Sequence, residues 1–178
     1  IHHPTKPTAR GADRRRTRRH QRPAAPAHSV EGGKRHQQRP IADLLRALEQ
    51  LGAKAASEQG TGCPPVVVEG NGLPGGSARV AGDISSQFLS GLLMAAPCAR
   101  APVVLDVEGP LVSKPYVDMT LAVIRSFGAS VEVEDLKRFS IAAPQMYRAQ
   151  RYQVEPDASA ASYFFAAAAI TGGEVTVE

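Results

Sequence analysis

A pattern that occurs twice constrains this chain more than any other feature. Arg39-Pro40-Ile41-Ala42-Asp43 and Lys114-Pro115-Tyr116-Val117-Asp118 both read basic–Pro–apolar–apolar–Asp. Each opens a run with side chains at helical spacing: Ile41, Leu44, Leu45, Leu48 and Leu51 in the first, and Val117, Thr120, Leu121, Ile124 and Phe127 in the second. Proline suits the first helical turn, and each run closes on Gly-Ala, at Gly52-Ala53 and Gly128-Ala129. Ser113 is placed to cap the second of these helices. A third helix is expected between them, over residues 85–96.

Strands are expected over 53–57, 66–69, 78–80, 103–107 and 152–155, with 131–134 and 139–142 as a pair. A last helix starts at an Asp157 or Ser159 cap, runs to Ile170 and ends at Gly172-Gly173. Residues 174–178 have the look of a strand interrupted. Helices alternating with short strands, and a unit that repeats, predict an α/β (α+β) fold with pseudo-symmetric helices. The helix after Ser85 is apolar nearly all round. So is the stretch from Tyr163 to Ile170, so both are expected to be buried, with Met94, Phe164 and Phe165 in the core.

Charge divides the chain. Residues 1–39 hold eleven of the 21 Lys and Arg but only two of the 17 acids. The basic balance therefore belongs to an arm, residues 1–38, and residues 40–178 are net acidic. Arg14-Arg15-Arg16-Thr17-Arg18-Arg19 repels itself, and Pro4, Pro7, Pro23 and Pro26 break regular structure. The arm is expected to be disordered or non-native, the latter if residues 1 to about 36 were translated out of frame. As a nucleic-acid arm it offers phosphate contacts, but no Phe, Tyr or Trp to stack on bases.

All five histidines lie in the arm, so residues 37–178 hold neither a His-based metal site nor a Ser-His-Asp triad. Cys63 and Cys98 lack a C-x-x-C spacing and are expected to be reduced, cytosolic thiols. No apolar run approaches the ~18 residues of a membrane span. The ends predict a piece of a longer, cytoplasmic protein.

The chemistry-bearing residues stand where helices begin. Arg39 precedes the first helix, Ser85-Ser86-Gln87 opens the second, and Ser113-Lys114-Pro115-Tyr116 opens the third. Free backbone N–H groups and the dipole make a helix N-terminus an anion site. Arginine grips carboxylate or phosphate through two parallel bonds, and Gln and Tyr donate to neutral hydroxyls. The set suits a phosphorylated, polyhydroxylated small ligand. Each residue alone also has a plainer explanation: a serine as a cap, Arg39 or Lys114 as a solvated charge, Asp43 and Asp118 as partners of the helix dipole.

Longer motifs narrow the choice. Arg39-Pro40-Ile41, Cys63-Pro64-Pro65, Gly82-Asp83-Ile84-Ser85-Ser86-Gln87-Phe88-Leu89, Leu92-Leu93-Met94-Ala95-Ala96-Pro97, Leu111-Val112-Ser113-Lys114-Pro115-Tyr116-Val117-Asp118 and Val154-Glu155-Pro156-Asp157-Ala158-Ser159 stand in one order. In that order they resemble the 5-enolpyruvylshikimate-3-phosphate synthase (3-phosphoshikimate 1-carboxyvinyltransferase) family. The resemblance implies repeated βαβαββ units of the enolpyruvyl transferase fold, incomplete here. Residues 39–155 would be most of one domain, and residues 156–178 the start of a second.

It also implies transfer of the enolpyruvyl group of phosphoenolpyruvate to the 5-hydroxyl of shikimate 3-phosphate, by a monomer without metal or organic cofactor. Ser85 and Ser86 would bind the substrate phosphate, and Ser113 would join them. Gln87 would lie between the two substrates, Tyr116 against the shikimate ring, and Arg39 on phosphoenolpyruvate. The family's Lys-Ser…Arg segment and Asn-Ala-Gly-Thr loop have no match in residues 1–38. Its catalytic Asp and Glu would follow Glu178, so this chain is expected to be inactive alone. Two other readings are a sibling enolpyruvyl transferase acting on UDP-N-acetylglucosamine and a basic-armed nucleic-acid-binding module.

Overall fold

The computed structural model describes residues 27–30 and 40–177. The elements in chain order are β1 (Ala27–Val30), α1 (Ala42–Gln50), β2 (Ala55–Ser57), β3 (Val66–Glu69), β4 (Gly76–Ala81), α2 (Ser86–Ala95), β5 (Val103–Glu108), α3 (Lys114–Ser126), β6 (Glu132–Glu134), β7 (Arg138–Ile141) and α4 (Ala158–Thr171). From β4 to β7 the order is βαβαββ. These four strands form one sheet in the order β4-β5-β7-β6. Only β4 and β5 are parallel, joined by the crossover through α2, and the other two pairings are antiparallel.

The earlier elements repeat the second half of that unit. β1, α1, β2 and β3 make a three-stranded antiparallel sheet in the order β1-β3-β2. That matches β5-β7-β6 around α3, so the repeat read at Arg39 and Lys114 extends to topology. β1 lies inside the basic arm, where no strand was expected. Its backbone pairs with β3, Ala27 facing Glu69 and Val30 facing Val66. The rest of the arm, residues 1–26 and 31–38, is outside the described residues, as is Arg39.

The core forms where α2 and α3 meet the four-stranded sheet. Leu89, Leu92 and Leu93 of α2 and Val117, Leu121 and Ile124 of α3 pack with Val103 and Leu105 of β5 and Phe139 and Ile141 of β7. Burying one such aliphatic side chain contributes about 1.5–3 kcal/mol. α1 joins through Ala47 and Leu51. Two polar bonds fix its end: Gly75 N–H donates to the Leu51 carbonyl at 3.2 Å, and Arg79 N–H donates to Gln50 Oε1 at 2.9 Å.

Two expected strands are absent among the described residues, where 152–155 and 174–177 have no ladder partner. The segment after β7 instead runs as a strap over the far ends of α2 and α3. Gln145 N–H donates to the Pro97 carbonyl and Arg148 N–H to the Phe127 carbonyl. The Tyr152 ring packs on Phe127 with centroids 5.4 Å apart. An alternating sequence forms a strand only beside a sheet edge, and the strap crosses helix ends.

Burial was also misjudged for α4. It forms as expected, with Asp157 accepting from Ser159 N–H and Gly172 ending it in the left-handed region. Yet Tyr163, Phe164, Phe165 and Ile170 are exposed, and so is Met94 on α2. Composition marks an apolar surface, but it does not supply the layer that would cover it. Cys63 and Cys98 are both free thiols.

On the strap, the Tyr147 hydroxyl donates to the Met94 carbonyl at 2.8 Å. Burial, and secondarily the nearby Cys98, raise its pKa above the ordinary 10.0. Folding therefore favours the protonated phenol. Its contribution is complete below pH 10.0 and is lost as pH rises through the folded value. Urea unfolding across alkaline pH should show a shallower decline in Tyr147→Phe than in the unsubstituted chain.

Candidate functional site

The site is built by two βα connections. Because β4 and β5 are parallel, α2 and α3 both start at the carboxyl edge of that pair, the usual ligand side of such sheets. Gly82 holds the connections together. Its N–H donates to the Glu108 carbonyl at 2.9 Å, and its carbonyl accepts from Val112 N–H at 3.0 Å. A Cβ on Gly82 would stand 2.7 Å from Val107 Cγ1 and 3.0 Å from the Pro110 oxygen. Only glycine permits this approach.

Ser85 is the N-cap of α2 and accepts from Gln87 N–H at 3.2 Å. Accepting that bond leaves its own O–H as a donor. Ser86 is half-buried in the first turn, and Gln87 is exposed. Ser85 and Gln87 line a cleft of about 430 Å³ with Pro40, Ile41, Pro64, Ile84 and Phe88. The entrance to α1 therefore faces the entrance to α2. The cleft wall is held by Ile41 N–H donating to the Gly62 carbonyl at 2.8 Å and by Ser57 Oγ donating to the Cys63 carbonyl at 2.6 Å.

Ser113 departs from expectation. It occupies the N-cap position of α3, but its side chain caps nothing. Its backbone is left-handed, φ 57°, a conformation that non-glycine residues adopt at some cost and often at functional sites. The strained turn leaves the Ser113 hydroxyl outside the helix. Tyr116, one turn into α3, is 58% exposed. Ser113, Lys114 and Tyr116 do not line the 430 Å³ cleft, and among the described residues no hydrogen bond joins them to Ser85, Ser86 or Gln87. What brings them to the same edge is the parallel pair and the Gly82 bonds. Arg39 lies outside the described residues.

Sequence reasoning missed the apolar wall. Ile84 is 49% exposed beside Ser85, and an apolar residue just before a cap carries no periodic signal. Pro64 stood in a quoted motif without any assigned role. Arrangement and chemistry fit an anion with a carbon skeleton: hydroxyl and backbone donors at two helix starts, next to an apolar floor.

Residues 20–178 match the family profile described as EPSP synthase (3-phosphoshikimate 1-carboxyvinyltransferase). The chain belongs to the EPSP synthase family. The match begins upstream of Arg39, within the basic arm. A 3-phosphoshikimate 1-carboxyvinyltransferase of Sulfurovum sp. (strain NBC37-1) is 50% identical over 149 residues, 83% of this chain and 35% of the relative. That of Shewanella baltica (strain OS185) is 50% identical over 150 residues, 84% of this chain and 35% of the relative. The solved EPSP synthase from Acinetobacter baumannii superposes with a TM-score of 0.63 at 26% identity, over 82% of this chain and 32% of that one. The chain thus spans about a third of the EPSP synthases that it matches. Its mixed α/β architecture and its membership agree with the resemblance drawn from the motifs. Among the described residues, no helix is long and apolar enough to cross a membrane.

Proposed function

We propose that this EPSP synthase family chain supplies the shikimate 3-phosphate grip of an enzyme that transfers the enolpyruvyl group of phosphoenolpyruvate to the 5-hydroxyl of that substrate, releasing phosphate. One observation carries the reading: two helix starts, pinned together at Gly82, present serine hydroxyls that are not consumed by the fold. Ser85, Ser86 and Ser113 hold the substrate phosphate. Gln87 lies between the two substrates, and Tyr116 rests on the ring. Arg39 binds the carboxylate or phosphate of phosphoenolpyruvate.

Both reactants are anions, so fixed donors offset their repulsion before the carbon–oxygen bond forms. Residues 39–155 make up most of one domain and 156–178 begin the next. The working state is a cytoplasmic monomer, and nucleic acid meets it only nonspecifically, through residues 1–38.

Titration calorimetry with shikimate 3-phosphate tests the grip. Removing one hydroxyl that bonds a charged phosphate should cost about tenfold or more in affinity, in Ser85→Ala and in Ser86→Ala. Equal affinity in all three proteins would sink the assignment. A phosphate-release assay with both substrates should detect no turnover by this chain alone, and measurable turnover would place the acid–base groups within it.

A further inference from the structure

Thr120 is the one buried polar side chain among the described residues. Its Oγ1 lies 2.7 Å from the Tyr116 carbonyl and 2.9 Å from Ser90 Oγ of α2. A hydroxyl carries one hydrogen, and a carbonyl can only accept. Thr120 therefore shares its one hydrogen between Ser90 Oγ of α2 and the Tyr116 carbonyl of its own helix. This three-centre contact ties α2 to α3 one turn from the site.

Its position along the helices matters. Ser86 precedes Ser90 by four residues, and Tyr116 precedes Thr120 by four. Residues i and i+4 share a helix face, one turn of about 5.4 Å apart. Both helices start at the same sheet edge, so one turn back from the Ser90–Thr120 contact lie Ser86 on α2 and Tyr116 on α3. The Tyr116 ring is mostly exposed, so packing does not hold it. Its reach is set by where its backbone stands.

We propose that Ser90 and Thr120 are positioning residues that fix the distance between α2 and α3 and so place Tyr116 against a ring whose phosphate is held at Ser85 and Ser86. The inference rests on the shikimate 3-phosphate reading above. It also predicts a division of effects. Inorganic phosphate meets only the serine end, where Ser113 is tied separately by the Val112–Gly82 bond. The full ligand also needs Tyr116.

The experiment measures shikimate 3-phosphate by calorimetry and inorganic phosphate by magnetic-resonance titration, on the full chain and on Ser85→Ala, Thr120→Val, Thr120→Ser, Ser90→Ala and the Ser90→Ala/Thr120→Val pair. Coupled neighbours are non-additive. Thr120→Val and Ser90→Ala should each weaken shikimate 3-phosphate by about fivefold, and the pair by no more than either alone. Thr120→Ser should keep the affinity, and phosphate affinity should stay unchanged in every Thr120 and Ser90 variant. Equal losses for both ligands would mean general disruption and would overturn the positioning role. Shikimate 3-phosphate binding that is unchanged in Thr120→Val but weakened in Ser85→Ala would overturn this inference alone. No binding by the unsubstituted chain would overturn the reading of the site and this inference with it.

Discussion

Gly82→Ala should reduce affinity for shikimate 3-phosphate by about tenfold, the scale of one misaligned charge-assisted hydrogen bond. The added methyl meets Val107 Cγ1 at 2.7 Å and the Pro110 oxygen at 3.0 Å. Both neighbours belong to the exit of β5, and Gly82 is bonded to that exit through its N–H and its carbonyl. The Pro110 contact is with backbone, so relieving it backs one connection away from the other. That parts the start of α2 from the start of α3. Overpacking of this kind also costs about 1–3 kcal/mol of stability, measurable by urea unfolding. Gly91 is the control. It lies within α2 with open space where a Cβ would go, so Gly91→Ala should stabilise by about 0.4–1 kcal/mol and leave binding alone. Equal binding by the Gly82 and Gly91 variants would refute the pinning role of Gly82.

Phe139→Ala is expected to have the largest effect on stability, a loss of about 3–5 kcal/mol. Phe139 is fully buried in β7, opposite Leu105 on β5 and Val133 on β6. The rigid strands on either side prevent the site from collapsing onto the space left. The same substitution at Phe164, which is 60% exposed on α4, should fall within about 0.5 kcal/mol. Denaturant midpoints of the two variants separate these cases. Similar midpoints would mean that the core does not sit where β7 places it.

The helices were legible because their signals are local. Pro115 in the first turn of α3, the Ser85 hydroxyl on Gln87 N–H, and glycine at Gly52, Gly128 and Gly172 all act within a few residues. So were the strands that carry dense branched side chains, such as β3 and β5. What failed depended on distant partners. β1 is four residues in a polar, proline-rich setting, and only its pairing with β3 makes it a strand. Residues 152–155 alternate well but cross helix ends instead of a sheet edge. At the site, the residue types were readable, and so was their place at helix starts. The left-handed turn at Ser113 was not, because serine is an ordinary cap and nothing in its neighbours announces a positive φ. The meeting of α1 and α2 across one cleft arises from packing alone.

Among the described residues, the four-stranded sheet takes every strand from one unbroken stretch, β4 through β7. That bears on how the protein is made. Once Ile141 has left the ribosome, the four strands and both core helices can close as one unit, through pairings that bridge distant residues, Gly76 with Val103 and Val103 with Ile141, the kind that slows folding. Its amides should then exchange with solvent as one cooperative block, more slowly than those of the sheet built on β3.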